Sequence, residues 1–244
     1  MARGQAERTT GLANLYFGGN VEFVGEALTS VVHAEQAAVN HAWLRGEVRL
    51  SGLAVTAAPC GYCRQFLYEL AAGTELPIFV PDANGPAHGT WSLRDLLPSA
   101  FGPKDLGHRG GLLDPTAGHH EVDLVKATED FVVLEALVAA RQSYAPYTNG
   151  FAGCAIQTDD GVVYAGRYAE NAAYSPSLSP LQSAIALMHA TRHRDASQRL
   201  RRAVLVEVPG PAGLRRATQA VLASIAPDLT LEYAEAVEAT AIRS

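Results

Sequence analysis

The sequence is poor in cysteine, has no long apolar run and carries no excess of positive charge. Three cysteines in 244 residues are an odd number, which argues against a disulfide framework and for reduced thiols. No apolar run approaches the roughly 20 residues of a membrane-spanning helix. The N-terminus, MARGQAERTT, lacks the apolar core of a secretory signal. We therefore expect a cytoplasmic protein with no membrane partner.

The charge balance also limits the choice of partner. The formal net charge is −6, so the chain has no general positive field to attract a polyanion, and a nucleic acid partner is disfavoured. Hydrophobic residues make up 48% and charged residues 18% of the sequence, a balance typical of globular proteins. A chain of this length can bury the core of one large domain or of two ordinary ones.

Strand patterns and helical patterns alternate along the chain. Residues 52–58 and 76–80 are short apolar runs that predict buried strands, and residues 33–45 and 61–72 have helical patterns. After the Gly- and His-rich stretch 107–120, helical patterns occur in EDFVVLEALVAARQ and PLQSAIALMHATR, and strand patterns in FAGCAIQT, GVVYAGR and RAVLVEV. This alternation favours an α/β fold with helices covering a sheet, repeated in two domains.

The two halves of the chain are similar in sequence. NLYFGGNVEF (14–23) resembles VVYAGRYAEN (162–171), with a Tyr, a Gly and a Glu at matching positions. Further on, HAEQAAVNHAWLRG matches SPLQSAIALMHATR through Gln36 and Gln182. The sequence therefore predicts a duplication.

One group of residues in the first half has the spacing of a metal site. His33 and Glu35 form a His-x-Glu pair at the expected start of a helix, and Cys60 and Cys63 follow Pro59 at the start of the next. Cysteines three positions apart can share a helix face, and a helix N-terminus lowers the pKa of a thiol. By itself, the cysteine pair fits a structural zinc or a redox thiol pair at least as well as it fits a catalytic site. With His33 it offers three zinc ligands and leaves a fourth position open for catalysis.

The glutamate of this group gives the site its expected chemistry. A carboxylate beside an open zinc position can take a proton from water and deliver it again. The pattern H-x-E followed by P-C-x-x-C is the signature of the zinc nucleobase deaminases.

Three stretches carry a resemblance to a known family. HAEQAAVNHAW, PCGYCRQF and AFGPKDL resemble the duplicated, homodimeric cytidine deaminases of bacteria and plants, in which a catalytic domain is followed by a degenerate copy. The resemblance covers nearly the whole chain, including SYAPYTNGFAGCAIQTDDGVVYAGRYAENAAY, which resembles the opening of a deaminase domain. It implies two three-layer α/β/α domains with mixed sheets. Residues 1–112 would form the zinc-dependent catalytic domain and residues 113–244 the non-catalytic one.

The resemblance also implies a role for each site residue in the first copy. One catalytic zinc per chain would be held by His33, Cys60 and Cys63, with Glu35 as the proton shuttle.

The substrate contacts are implied in the same way. Asn20 and Glu22 would hold the ribose hydroxyls, and the backbone carbonyl of Ala58 would accept a hydrogen bond from the leaving amine. Phe101 would pack near the pyrimidine, across the subunit interface of a homodimer.

Both copies depart from the family pattern. Ser179 and Leu181 stand where the first copy has His33 and Glu35, and no cysteines follow VLVEV, so we expect a structural role for the second copy. Ahead of its Tyr-x-Gly segment the first copy has only MARGQAERTTGLA, where the second has a helix and a strand over about 130–156. We therefore expect the first copy to lack its opening helix and most of its first strand.

The expected function is hydrolytic deamination of cytidine and deoxycytidine to the uridine nucleoside and ammonia, in pyrimidine salvage. One alternative keeps the chemistry but acts on a base within nucleic acid or on a modified nucleoside. The net acidity and the ribose-binding pair speak against a nucleic acid substrate. A second alternative, suggested by the short first copy, is an inactive zinc-bound scaffold.

Overall fold

The computed structural model describes residues 2–4, 14–71, 73–81, 88–192 and 199–239. Contacts between these residues divide the chain into two compact units, each with one five-stranded sheet. Unit 1 takes the described residues of Met1–Asn20, His33–Ala117 and Asn171–Ser177, and unit 2 takes those of Val21–Val32, Gly118–Glu170 and Leu178–Ser244. Each unit therefore includes a short segment that comes from the other half of the sequence. The domain boundary after residue 112 stays a prediction.

Unit 1 is built on a mixed sheet in the strand order β2-β1-β3-β4-β5. Its strands are β1 (Ala2–Gly4), β2 (Asn14–Tyr16), β3 (Leu50–Ala54), β4 (Pro77–Pro81) and β5 (His88–Ser92). β3 and β4 are parallel, and the other pairs are antiparallel. Its helices are α1 (Ala34–Leu44), α2 (Gly61–Tyr68) and α3 (Leu93–Leu96), and 3₁₀ turns occur at Gly73–Glu75 and Pro103–Leu106.

Helix α1 is the central helix of unit 1, because every residue from Gln36 to Trp43 is buried. Its sequence is rich in alanine, which lets a strand approach the helix backbone closely. Gly18 makes the closest approach, since a Cβ at that position would lie 2.2 Å from the amide nitrogen of Ala38. Only a residue without a side chain fits there.

Unit 2 has the strand order β6-β10-β9-β7-β8. Its elements are β6 (Val122–Leu124), α4 (Phe131–Arg141), β7 (Ala152–Thr158), β8 (Val163–Arg167), α5 (Pro180–Thr191), β9 (Leu200–Glu207), α6 (Arg215–Ile225) and β10 (Glu232–Glu238), with a 3₁₀ turn at Leu28–Ser30. β9 and β10 are parallel, and the remaining pairs are antiparallel. Helices α4 and α5 both pack on β7, an interior strand between β9 and β8.

The register of the two sheets confirms the duplication. Tyr16 pairs with Ala2, and its counterpart Tyr164 pairs with Ile156. β1 also pairs with β3, and β7 also pairs with β9. In both pairs the register shifts just before the last residue of β1 or β7. The three residues of β1 therefore match the last three of the seven in β7. No helix precedes β2 within the described residues. That the first copy lacks its opening helix and most of its first strand stays a prediction.

The predicted helices and strands are found, but one strand and one helix end earlier than predicted. The strand predicted over 52–58 ends at Ala54, because the chain there leaves the sheet to reach the start of α2. The helix predicted over 61–72 ends at Tyr68. Beyond it, Leu112 bonds through its amide to the Glu69 carbonyl and through its carbonyl to the Ala71 amide. Within the described ranges, no helix is long and apolar enough to span a bilayer.

Candidate metal centre and active site

The predicted metal ligands lie at the beginnings of two helices in unit 1. His33 immediately precedes α1, and Cys60 immediately precedes α2, both with extended backbone. The Gln36 side chain accepts a hydrogen bond from the His33 amide at 3.2 Å, and Asn20 Oδ1 accepts one from the Ala34 amide at 2.9 Å. These two side chains satisfy amides that a helix start leaves without partners, and they fix the backbone that carries His33.

The ligand atoms of His33, Cys60 and Cys63 converge on one point. His33 Nδ1 lies 3.6 Å from Cys60 Sγ and 3.3 Å from Cys63 Sγ, and the two sulfurs are 3.6 Å apart. Tetrahedral zinc with its usual bonds to sulfur and nitrogen separates such ligand atoms by roughly 3.5–3.8 Å. The three donors therefore fit zinc. Among the described residues, no other group of three His, Cys, Asp or Glu ligand atoms comes this close together.

The electrostatics of Cys63 also favour a bound cation. Burial raises the pKa of the Cys63 thiol, and the neighbouring Glu35 carboxylate raises it further through its charge and a hydrogen bond. Zinc binds cysteine as the thiolate. A buried thiolate beside a carboxylate needs a positive ion, so this donor set is suited to a metal. The same interactions indicate that the Glu35 carboxylate lies next to Cys63.

Helix α2 is held by a residue that the sequence analysis did not single out. Arg64 Nε donates to the Pro59 carbonyl at 2.8 Å, and Arg64 Nη1 donates to the Leu96 carbonyl at 2.8 Å. The first bond fixes the turn that leads into Cys60. Tyr62 was also missed, although its ring lies 5.2 Å from that of His33, with 30° between the planes. No sequence motif signals either contact, because both depend on how the elements pack.

The predicted substrate contacts are distributed over both units. Asn20 is exposed at the start of α1, and Ala58 is exposed two residues before Cys60. Phe101 is 46% exposed, and its carbonyl accepts from Gln65 Nε2 at 2.8 Å. These three residues lie in unit 1 with the metal ligands, whereas Glu22 is exposed and belongs to unit 2. Their contacts with substrate stay predictions.

In unit 2, the counterparts of His33, Glu35 and Glu22 have structural roles. Ser179 caps α5 by accepting from the Gln182 amide at 3.4 Å, and Leu181 is fully buried. Glu170, the counterpart of Glu22, accepts from the Tyr147 and Thr148 amides and from the Thr148 hydroxyl. At the positions of His33 and Glu35, the second copy therefore has a helix cap and a core residue.

The chain is similar in sequence to known proteins. Two family models described as "Cytidine and deoxycytidylate deaminase zinc-binding region" match residues 9–76 and 93–220. The chain is 45% identical over 226 residues to the cytidine deaminase of Photorhabdus laumondii, covering 92% of this chain and 71% of that protein. It is 46% identical over 227 residues to that of Serratia proteamaculans, with the same coverage of 92% and 71%. The chain belongs to the cytidine deaminase family.

One further relative and one solved structure are also similar to this chain. The cytidine deaminase of Aliivibrio fischeri is 43% identical over 222 residues, covering 91% of this chain and 71% of that protein. A solved cytidine deaminase structure from Burkholderia pseudomallei is 23% identical with a TM-score of 0.36, and the match covers 48% of this chain and 96% of that one. The two regions matched by the family models confirm the resemblance to duplicated cytidine deaminases that the sequence motifs carry.

Proposed function

We propose that this chain is a zinc-dependent cytidine deaminase that converts cytidine and deoxycytidine to the uridine nucleoside and ammonia, in pyrimidine salvage. The observation that carries the proposal is the convergence of His33, Cys60 and Cys63, with Glu35 beside them. Relatives that are 43–46% identical over nine-tenths of the chain are cytidine deaminases, which supports the same reaction here.

Four residues would perform the chemistry. His33, Cys60 and Cys63 would hold one zinc ion per chain, leaving one position of a tetrahedral site open. When bound, the zinc supplies Lewis-acid activation of water. Glu35 would take one proton from water and deliver it to the ring nitrogen next to carbon 4 of the pyrimidine, while the hydroxide oxygen bonds to carbon 4. Glu35 would then take the proton of the hydroxyl on carbon 4 and pass it to the amine, so that the carbon–nitrogen bond breaks, ammonia leaves and the oxygen stays on carbon 4 as a carbonyl.

The remaining predicted residues would bind and orient the nucleoside. Asn20 and Glu22 would hold the ribose hydroxyls, and the Ala58 carbonyl would accept from the departing amine. The position of Asn20 at the start of α1 and of Ala58 just before Cys60 supports these roles. Phe101, half-exposed, would pack near the pyrimidine across a subunit interface.

Membership of the same family also suggests how the chain assembles and which of its domains is catalytic. We propose a cytoplasmic homodimer in which residues 1–112 are catalytic and residues 113–244 are structural. Ser179 and Leu181 at the positions of His33 and Glu35 support the non-catalytic role of the second domain.

The direct test is the loss of cytidine ultraviolet absorbance with purified, zinc-loaded protein of residues 1–244. Turnover of cytidine and deoxycytidine is expected, with much slower deamination of a cytosine in a single-stranded oligonucleotide. Removing the metal with a chelator should abolish turnover, and adding zinc back should restore it. A folded, zinc-bearing sample without turnover would support the scaffold alternative. A preference for the oligonucleotide would move the substrate class to nucleic acid.

A further inference from the structure

A short segment from the second half of the sequence lies along helix α2 in unit 1. This positioning segment is residues 171–177. Its partners are Tyr62 and Gln65 on α2 and Glu69, the residue that follows the helix, and they are spaced three and four residues apart, as residues on one helix face are. Three hydrogen bonds of 2.9–3.0 Å join the two: from the Tyr62 hydroxyl to the Ser175 carbonyl, from the Asn171 side-chain amide to the Gln65 carbonyl, and from the Ala172 amide to the Glu69 carboxylate.

The same segment also contacts α1 beside the histidine ligand. Gln36 Nε2 donates to the Pro176 carbonyl at 3.1 Å, while Gln36 Oε1 accepts from the His33 amide at 3.2 Å. Gln36 is 1% exposed, so water cannot replace a lost partner and the bond is costly to break. The segment therefore links α2, which carries Cys63 and starts after Cys60, to the start of α1, which carries His33.

Internal hydrogen bonds give the segment a defined shape. Asn171 Oδ1 accepts from the Ala173 amide at 2.9 Å, and Ser177 Oγ accepts from the Asn171 amide at 3.0 Å. The Tyr174 amide donates to the Asn171 carbonyl at 2.8 Å. Tyr174 has a left-handed backbone, with φ of 62°, which is uncommon for a residue other than glycine. Such a conformation persists where the surrounding contacts determine it.

We propose that residues 171–177 position the zinc ligands, acting through Tyr62 on α2 and Gln36 on α1. The inference rests on the proposed function only in taking zinc as the bound ion. It assigns to the degenerate second copy a specific task, which is to fix the two helix starts so that His33, Cys60 and Cys63 stay within metal-binding distance of one another. Tyr62 and Gln36 are thus positioning residues, not zinc ligands.

The test measures zinc retention, which does not require turnover. In Tyr62→Phe the ring beside His33 is kept and only the hydroxyl that reaches Ser175 is lost. We expect zinc transfer from the folded holoprotein to a chromogenic chelator to become about fivefold faster, the factor that corresponds to one hydrogen bond. Cobalt-substituted protein should show altered visible absorption bands, because these bands report ligand geometry. Asn171→Asp, which keeps the acceptor for Ala173 but loses the donor to Gln65, should change both readouts in the same direction.

The duplication supplies a matched control. Gln182 in unit 2 accepts from the Ser179 amide at 3.2 Å and donates to the Ser30 carbonyl, as Gln36 does with His33 and Pro176. Gln36→Met should accelerate zinc release, whereas Gln182→Met should leave the release rate and the cobalt spectrum unchanged.

Two results would overturn the proposal. One is a parental release rate and cobalt spectrum in Tyr62→Phe. The other is equal acceleration by Gln36→Met and Gln182→Met, which would indicate a general loss of stability. If the parent protein binds zinc but does not deaminate cytidine, the proposed function fails while zinc release still decides the role of the segment.

Discussion

Gln36 and Gln182 make the same pair of hydrogen bonds in the two halves of the chain. Each side chain accepts, at 3.2 Å, from the amide three residues before it, and each donates to a carbonyl in a segment contributed by the other half, at Pro176 and Ser30 respectively. The duplication has therefore kept both the helix start and the exchanged segment. What differs is the chemistry at the start of the helix, where His33 is a candidate ligand and Ser179 is a cap.

Glu35→Gln separates proton transfer from metal binding. The amide keeps the size of the side chain but cannot carry a proton between water and the pyrimidine. We expect zinc content near that of the parent and a loss of about 10²–10⁴-fold in turnover, measured by cytidine absorbance and by metal analysis. Glu129→Gln, at an exposed position in unit 2, is the control and should retain parental turnover. Near-parental activity of Glu35→Gln would contradict the assigned proton shuttle.

The sequence predicts the local parts of the site well, because they follow from spacing along the chain. His33, Glu35, Cys60 and Cys63 lie at two helix starts, and their separation in the sequence already implies the strand between them. Two strands of unit 2, β6 and β10, were not predicted. β6 is three residues long, and it precedes helix α4 while pairing with β10. So short a strand has no periodicity of its own, and only its distant partner defines it.

The positioning segment was missed for a related reason. Residues 171–177 read as a continuation of the second repeat, and nothing in their composition indicates that they pack in unit 1. The role of Arg64 was missed for the same reason. Its side chain donates to the carbonyls of Pro59 and Leu96, and the second of these bonds depends on where α3 lies. Local patterns thus identify which residues can bind zinc, whereas long-range packing decides what holds them in place.

Gly18 and Gly166 offer a matched pair for testing how α1 is placed. A Cβ at Gly18 would lie 2.2 Å from the Ala38 amide nitrogen, and one at Gly166 would lie 2.2 Å from the Ala184 amide nitrogen. Alanine at either position must push a helix off its strand, at a cost of about 1–3 kcal/mol. We expect both variants to unfold at lower temperature, followed by circular dichroism. Only Gly18→Ala should also speed zinc release, because α1 begins next to His33. Faster release from Gly166→Ala than from Gly18→Ala would contradict this assignment.

The buried pair of Tyr16 and Glu47 predicts how unit 1 responds to alkaline pH. The Tyr16 hydroxyl donates to Glu47 Oε1 at 2.7 Å, and Asn14 Nδ2 donates to the same oxygen at 2.9 Å. Burial, and then the hydrogen bond and charge of Glu47, raise the pKa of Tyr16 from 10.0 to about 12. Above pH 10 the unfolded chain releases a proton that the folded chain keeps. The stability contributed by this proton is therefore complete below pH 10 and is lost as the pH rises through about 12.

Tyr16→Phe removes this titration together with the hydrogen bond to Glu47. At pH 8 we expect the variant to be less stable by about 1 kcal/mol, the usual value of one hydrogen bond. Between pH 10 and 12 its stability should fall less steeply than that of the parent, so the two curves should converge. Urea unfolding at fixed pH values measures both effects. Tyr174→Phe, at a residue that is 70% exposed, serves as the control. Parallel curves for parent and Tyr16→Phe across that range would mean that Glu47 does not hold the tyrosine proton in the folded protein.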